Sequence, residues 1–196
     1  MVENIRSFIA IALDQRAVAA LRQLQDALGR KPGTRAARWT APGSIHLTLK
    51  FLGDVPADDI PVIAEALRER CSQHGPFRLV LAGLGCFPDV RQPRIVWVGL
   101  QGETAALLAL QREVDQVMDQ LGYPPERRPF SPHLTIARVH QSATRSELET
   151  LGQAVERSAV GELAALEVEA VHLVRSDLRP EGPIYTDLAA LPLAGK

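Results

Sequence analysis

Two histidines, each followed two positions later by a threonine, are the residues here whose types and spacing suit chemistry. His46-Leu47-Thr48-Leu49 recurs as His133-Leu134-Thr135-Ile136. In an extended strand alternate side chains share a face. His46 and Thr48 therefore point one way and Leu47 and Leu49 the other; His133 and Thr135 stand in the same relation to Leu134 and Ile136. Each copy reads as a strand with one apolar face and one face presenting an imidazole beside a hydroxyl. Histidine exchanges protons near neutral pH. Two imidazoles on opposite sides of one phosphorus divide the work of an in-line displacement, one accepting a proton from the attacking water and one donating to the leaving oxygen. The threonine hydroxyls reach the non-bridging oxygens, and Arg138 and Lys50 are candidate cations for the same charge. A zinc site is the competing chemistry. It needs further ligands, yet His74, His140 and His172 are isolated in the sequence and no cysteine pair is near.

The elements that must position these groups follow from periodicity. Ile5 to Leu13 alternates as a strand, and Asp14 caps a helix carrying Val18, Leu21, Leu24 and Leu28 at helical spacing. Residues 29–44 read as a loop, and the first motif strand spans about Ile45 to Leu52. A helix is predicted from Asp58 to about Cys71, then strands over Phe77–Leu84 and Ile95–Leu100. A long amphipathic helix with Leu107, Leu110, Val114, Val117 and Leu121 as its stripe stops at Gly122. The second motif strand is His133 to Val139. A helix around Ser146 to Val155 and strands over Val168–Val174 and Ile184–Leu188 close the chain, the last two joined by a turn through Pro180, Glu181, Gly182 and Pro183. This order repeats at the level of elements. It predicts an α+β fold in two lobes, each a small, mostly antiparallel sheet with helices outside, lining a central cleft within one domain over residues 1–196.

Composition narrows the class. The chain has 196 residues, 46% hydrophobic and 23% charged, with a net charge of −1. An anionic substrate must then be met by local basic residues, not by a global field. No apolar run is long enough for a membrane span, and the start, Met-Val-Glu-Asn-Ile-Arg, lacks a secretory pattern. Cys71 and Cys86 form neither a metal spacing nor a disulfide framework, which suits reduced thiols in a cytoplasmic protein. Arg30, Lys31, Arg35 and Arg38 precede the first motif, and Arg127 and Arg128 the second; both clusters suit a groove entrance that tracks an RNA backbone. Trp39 reads as a stacking group or a lobe anchor, Trp97 as a core residue, and Tyr185 as a hydroxyl within reach of the cleft.

These residues resemble the 2H phosphoesterases, named for two His-x-Thr-x motifs, and more narrowly the bacterial and archaeal RNA 2′,3′-cyclic phosphodiesterases, also called 2′-5′ RNA ligases. The resemblance runs through Arg6-Ser7-Phe8-Ile9-Ala10, His46 to Gly53, Pro93 to Gly99, Phe130 to Arg138, Ser176, and Gly182 to Tyr185. It implies a hydrolase without metal or cofactor that opens a terminal 2′,3′-cyclic phosphate to a 2′-phosphomonoester. His46 would be the proton donor and His133 the proton acceptor. Thr48, Thr135 and Arg138 would bind the phosphate, and Phe51 would stack on the terminal base. The implied partner is RNA with a cyclic-phosphate end or a small cyclic nucleotide, with no membrane and no obligate protein partner. Reversible 2′-5′ joining and a non-catalytic RNA-end-binding module are the alternatives. Phe51 and Arg138 each lie five residues after their histidine, so a regular strand would turn both toward the apolar face unless a bulge re-aims them.

Overall fold

The computed structural model describes residues 3–180 and 182–195; Met1, Val2, the predicted turn residue Glu181 and Lys196 lie outside the described residues. β1 spans Asn4–Ile11. The Asp14 carboxylate accepts a hydrogen bond from the Ala17 backbone N–H at 2.7 Å and starts α1, Gln15–Gly29, whose Ala17, Leu21 and Leu28 are buried. A three-residue strand, β2 (Ala37–Trp39), follows. Then come β3 (Leu47–Pro56), α2 (Asp59–Cys71), β4 (Phe77–Phe87), β5 (Ile95–Gly102) and α3 (Thr104–Gln120). β6 (Leu134–Val139) leads to α4 (Arg145–Glu156), which opens on a capping box between Thr144 and Glu147. β7 (Glu162–Val168), β8 (Ala170–Asp177) and β9 (Ile184–Pro192) complete the chain.

The α+β expectation holds, with two antiparallel sheets. One has the order β3-β1-β8-β9 and the other β2-β6-β5-β4-β7. Helices α2 and α3 cover the first sheet, while α1 and α4 lie against the second. Two strands depart from the sequence reading. β2 sits in a stretch read as loop and is too short to show alternation. β7, Glu-Leu-Ala-Ala-Leu-Glu-Val, has almost no β-branched residues; its pairing with β4, Phe77 opposite Val168 through Ala82 opposite Glu162, makes it a strand. The strand expected over Val168–Val174 is therefore the end of β7 and the start of β8.

One apolar core joins the helix-covered faces of both sheets, with Ile9, Ile11, Leu47, Leu49, Val96, Val98, Leu134 and Ile136 among its members. Phe8, Ala10 and Val174 form a separate cluster with Tyr185 on the opposite face of the first sheet. That opposite face is where His46 lies.

Each motif strand carries an extra residue directly after its His-x-Thr segment, and β3 carries a second at Leu52, skipped between the Ser7–Gly53 and Phe8–Phe51 pairs. Ile9 pairs with Lys50, yet Ala10 pairs with Thr48, so Leu49 is unpaired in the register. Val96 pairs with Ala137, yet Trp97 pairs with Thr135, so Ile136 is unpaired in the same way. A bulge places two successive side chains on one side and reverses the alternation beyond it. Leu49 and Lys50 both point into the interior, as do Ile136 and Ala137, and Phe51 and Arg138 emerge on the exposed side. The burial pattern of residues 47–51 repeats at 134–138 position by position.

The bulge overturns the expectation for Lys50. The residue is 2% exposed, and its Nζ donates to Asp115 Oδ1 at 2.6 Å and to the Pro124 carbonyl at 2.9 Å. Lys50 fastens β3 to α3 and to the loop before the second motif; it is not a phosphate cation. Trp97 is likewise not a core residue. It shares a face with Thr135, opposite to that of Val96 and Val98.

Removing one partner of a buried ion pair leaves the other charge desolvated and unpaired. Asp115→Ala is therefore expected to lower the urea-unfolding free energy by about 3 kcal/mol. A loss under about 0.5 kcal/mol would show that the Lys50 ammonium escapes to water.

Candidate active site

Both histidines sit one residue before their strands, and both are held by the same device. His46 Nδ1 lies 3.0 Å from the Ser44 carbonyl oxygen, and His133 Nδ1 lies 2.8 Å from the Ser131 carbonyl oxygen. A carbonyl oxygen only accepts, so Nδ1 carries the proton in each ring. Nε2 is then the atom that exchanges protons, as acceptor when the ring is neutral and as donor when it is charged. The Ser-x-His spacing is visible in both copies of the sequence, but the partner is a backbone carbonyl, which no side-chain pattern reveals.

Aromatic rings fix the imidazoles from the side. Phe8 stacks on His46 with centroids 4.5 Å apart and 23° between planes, and Tyr185 meets the same imidazole edge-on at 5.1 Å. Phe51, 56% exposed, lies across from Phe8 at 6.1 Å. Phe8 and Tyr185 thus flank the first histidine, and Phe51 extends this aromatic cluster beyond Phe8. Phe87 meets His133 edge-on at 4.9 Å. Sequence reasoning missed Phe8 and Phe87. Phe8 hides in a strand whose other face supplies the apolar pattern, and Phe87 reaches His133 from β4, remote in sequence.

The second copy acts on the first through charge. Burial holds the His46 imidazole below the usual histidine range, the hydrogen bond to Ser44 opposes this, and the Arg138 guanidinium pushes it further down. Burial raises the Tyr185 phenol, and Arg138 opposes that shift. Arg138 therefore lies close enough to sense both first-sheet side chains. Thr48 and Thr135 are half-buried on the same faces as their histidines.

The remaining predicted groups disperse. Arg38 stands directly opposite Arg138 in the β2–β6 pair, whereas Lys31 Nζ donates to Ser158 Oγ at 2.8 Å. Arg127 and Arg128 are exposed in the loop before β6. Trp39 packs against the main core. His172, isolated in the sequence, lies on the Phe8 face opposite Ala10, with Nδ1 3.0 Å from Asp187 Oδ2. Burial pushes the thiols of Cys71 and Cys86 up to about 11, with Glu113 and Asp89 adding to it, so neither is a thiolate nucleophile at neutral pH. Among the described residues no three His, Cys, Asp or Glu side chains gather to hold a metal ion, and no helix is long and apolar enough to cross a membrane.

The family model of the 2′-5′ RNA ligase superfamily matches residues 12–180 of the chain. An RNA 2′,3′-cyclic phosphodiesterase of Methanothermobacter thermautotrophicus is 35% identical over 191 residues, covering 97% of this chain and 100% of the relative. An RNA 2′,3′-cyclic phosphodiesterase of Aquifex aeolicus is 33% identical over 159 residues, covering 81% of this chain and 82% of the relative. A crystal structure from Thermus thermophilus superposes with a TM-score of 0.80 at 30% identity, over 97% of this chain and 99% of the other. E. coli LigT complexed with 3′-AMP shares the fold with a TM-score of 0.76 at 24% identity, over 97% and 99%.

Titration of the ring signals by NMR checks this geometry. His46 is expected to titrate below the ordinary histidine value of about 6.5, and Arg138→Gln is expected to move it upward by removing a nearby positive charge. An unmoved His46 would place the guanidinium elsewhere.

Proposed function

This chain belongs to the 2′-5′ RNA ligase superfamily of 2H phosphoesterases, and from that membership we propose that it hydrolyses RNA 2′,3′-cyclic phosphate ends to 2′-phosphomonoesters, using its two motif histidines and no metal. The observation that carries the reading is the matched pair of Nδ1–carbonyl hydrogen bonds, which leaves Nε2 of both His46 and His133 as the proton-exchanging atom.

In this mechanism water attacks the phosphorus in line with the bond to O3′. His133 Nε2 accepts the water proton while His46 donates its Nε2 proton to O3′, so the phosphate stays on O2′. The hydroxyls of Thr48 and Thr135 and the Arg138 guanidinium hold the non-bridging oxygens, where charge is stabilised most directly. The exposed Phe51 ring stacks on the terminal base; such a contact is worth roughly 1–3 kcal/mol and tolerates any base. The same proposal treats the two sheets as pseudo-symmetric lobes of one domain, each contributing one histidine. Free, buried Cys71 and Cys86 suit a reducing compartment, so cytoplasmic residence belongs to the reading as well.

A donor must be protonated, and His46 is held low in the free protein. A bound phosphate anion favours the imidazolium and raises it again. Activity that depends on protonated His46 is present below its pKa and lost as pH rises through it. The alkaline limb of kcat is therefore expected at higher pH than that of kcat/KM. Coincident limbs would mean that the phosphate does not sit beside His46.

The direct assay offers a short RNA ending in a 2′,3′-cyclic phosphate in excess EDTA. Turnover to the 2′-phosphate is expected, and His46→Ala and His133→Ala should each reduce kcat by about 10²–10⁴-fold. Tight binding without turnover by the unaltered protein would favour a non-catalytic RNA-end module instead.

A further inference from the structure

Trp97 stands directly across from Thr135 on β6, on the face opposite to buried Val96 and Val98. On its other side it faces Gly85 of β4. The indole lies over that glycine: Cη2 and Cε2 come within 2.6 and 2.9 Å of where a Cβ on Gly85 would stand. Cζ3 also lies 3.4 Å from a Cβ position on Gly99. Any side chain at position 85 would push the ring off the sheet. Phe87 tilts against Trp97 at 5.3 Å and meets His133 edge-on at 4.9 Å. An aromatic wall thus runs from Trp97 through Phe87 to the second histidine. The indole Nε1 is buried and, among the described residues, has no hydrogen-bond partner. What tryptophan supplies here beyond bulk is π surface, not a donor.

Each histidine therefore has an aromatic surface beside it: Phe8 and Tyr185 against His46, with Phe51 beyond Phe8, and Phe87 with Trp97 beside His133. The following step rests on the roles of His46 and His133 proposed above. O2′ and O3′ belong to one ribose, so the terminal nucleoside lies on the His46 side, by Phe51. The nucleophile enters from the His133 side. Water needs no aromatic surface there, but a hydroxyl carried by a nucleoside does, because every base offers a π face to stack.

We propose that Trp97 is the stacking platform for the nucleoside that carries an attacking 5′-hydroxyl, and that it sets how turnover divides between 2′-5′ joining and hydrolysis. In the joining step the bond from O5′ to phosphorus forms as the bond from phosphorus to O3′ breaks. The 5′-hydroxyl proton passes to His133 Nε2, and the His46 Nε2 proton passes to O3′. The product is a 2′-5′ phosphodiester with a free 3′-hydroxyl. The strained cyclic ester is itself the activated donor, and no other reactant enters.

The test incubates an RNA ending in a 2′,3′-cyclic phosphate with a 5′-hydroxyl acceptor oligonucleotide at saturating concentration, and measures joined and hydrolysed products together. Trp97→Leu is expected to lower the joined-to-hydrolysed ratio about tenfold or more with hydrolysis within about threefold of the unaltered protein. Trp97→Phe, which keeps a flat ring, should restore most of the ratio, and Gly85→Val, which displaces the ring, should reproduce the loss. In a Trp39→Phe background, where Trp97 is the sole tryptophan, the acceptor should quench the fluorescence with the 2′-phosphate product already bound. An unchanged ratio in Trp97→Leu, or equal loss of both products, overturns the inference. So does an unaltered protein that hydrolyses but joins nothing, which leaves the hydrolytic reading intact; an unaltered protein that does neither removes both.

Discussion

Leu49 and Ile136 each stand one residue out of register with the neighbouring strand, and this insertion, at the same place in both motif strands, decides which side chains join the histidine face. Before the bulge, His-x-Thr alternation sends the imidazole and hydroxyl one way and the leucines into the core. Beyond it, two interior residues follow one another and the next side chain swings out. Without the insertion Arg138 would turn its charge into the apolar core, where an unpaired guanidinium is costly, and the exposed Phe51 would fill space between sheet and helix. With it, β3 presents a flat aromatic ring and β6 a cation at equivalent positions. The same backbone device exposes two chemically different side chains from one repeated frame.

The bulge also links the cleft to stability. Lys50 is carried inward with Leu49 and is neutralised by Asp115, which also accepts from Gln111 Nε2 at 2.5 Å. Its second bond, to the Pro124 carbonyl, anchors the loop that delivers His133 to its strand. A residue suited by type to binding phosphate instead ties the first motif strand to the approach of the second. The two halves also meet through the field of Arg138 on His46 and Tyr185.

Much of this is legible in the sequence, for identifiable reasons. The paired motifs, the antiparallel α+β arrangement and the four helices all rest on strong local signals: alternation, apolar stripes of period 3.6, and Asp14 as a cap. The failures share a physical origin. β2 and β7 exist because a neighbouring strand pairs with them, not because of their own propensity. Lys50 and Trp97 face the side opposite to the one their sequence neighbours suggest, Lys50 because alternation does not carry through a bulge, and Trp97 because an apolar neighbourhood does not ensure burial in the core. The glycine that receives the Trp97 ring lies on another strand, and so do Phe8 and Phe87 relative to the histidines they brace.

In the proposed reaction the two imidazoles divide donor and acceptor roles around one phosphorus. A cyclic substrate with sulfur in place of the bridging 3′-oxygen tests it most directly, because a thiolate leaves without being protonated. On this account the sulfur substrate restores near-normal cleavage to His46→Ala and leaves His133→Ala as impaired as before. Recovery of His133→Ala alone, with His46→Ala still inactive, would contradict it.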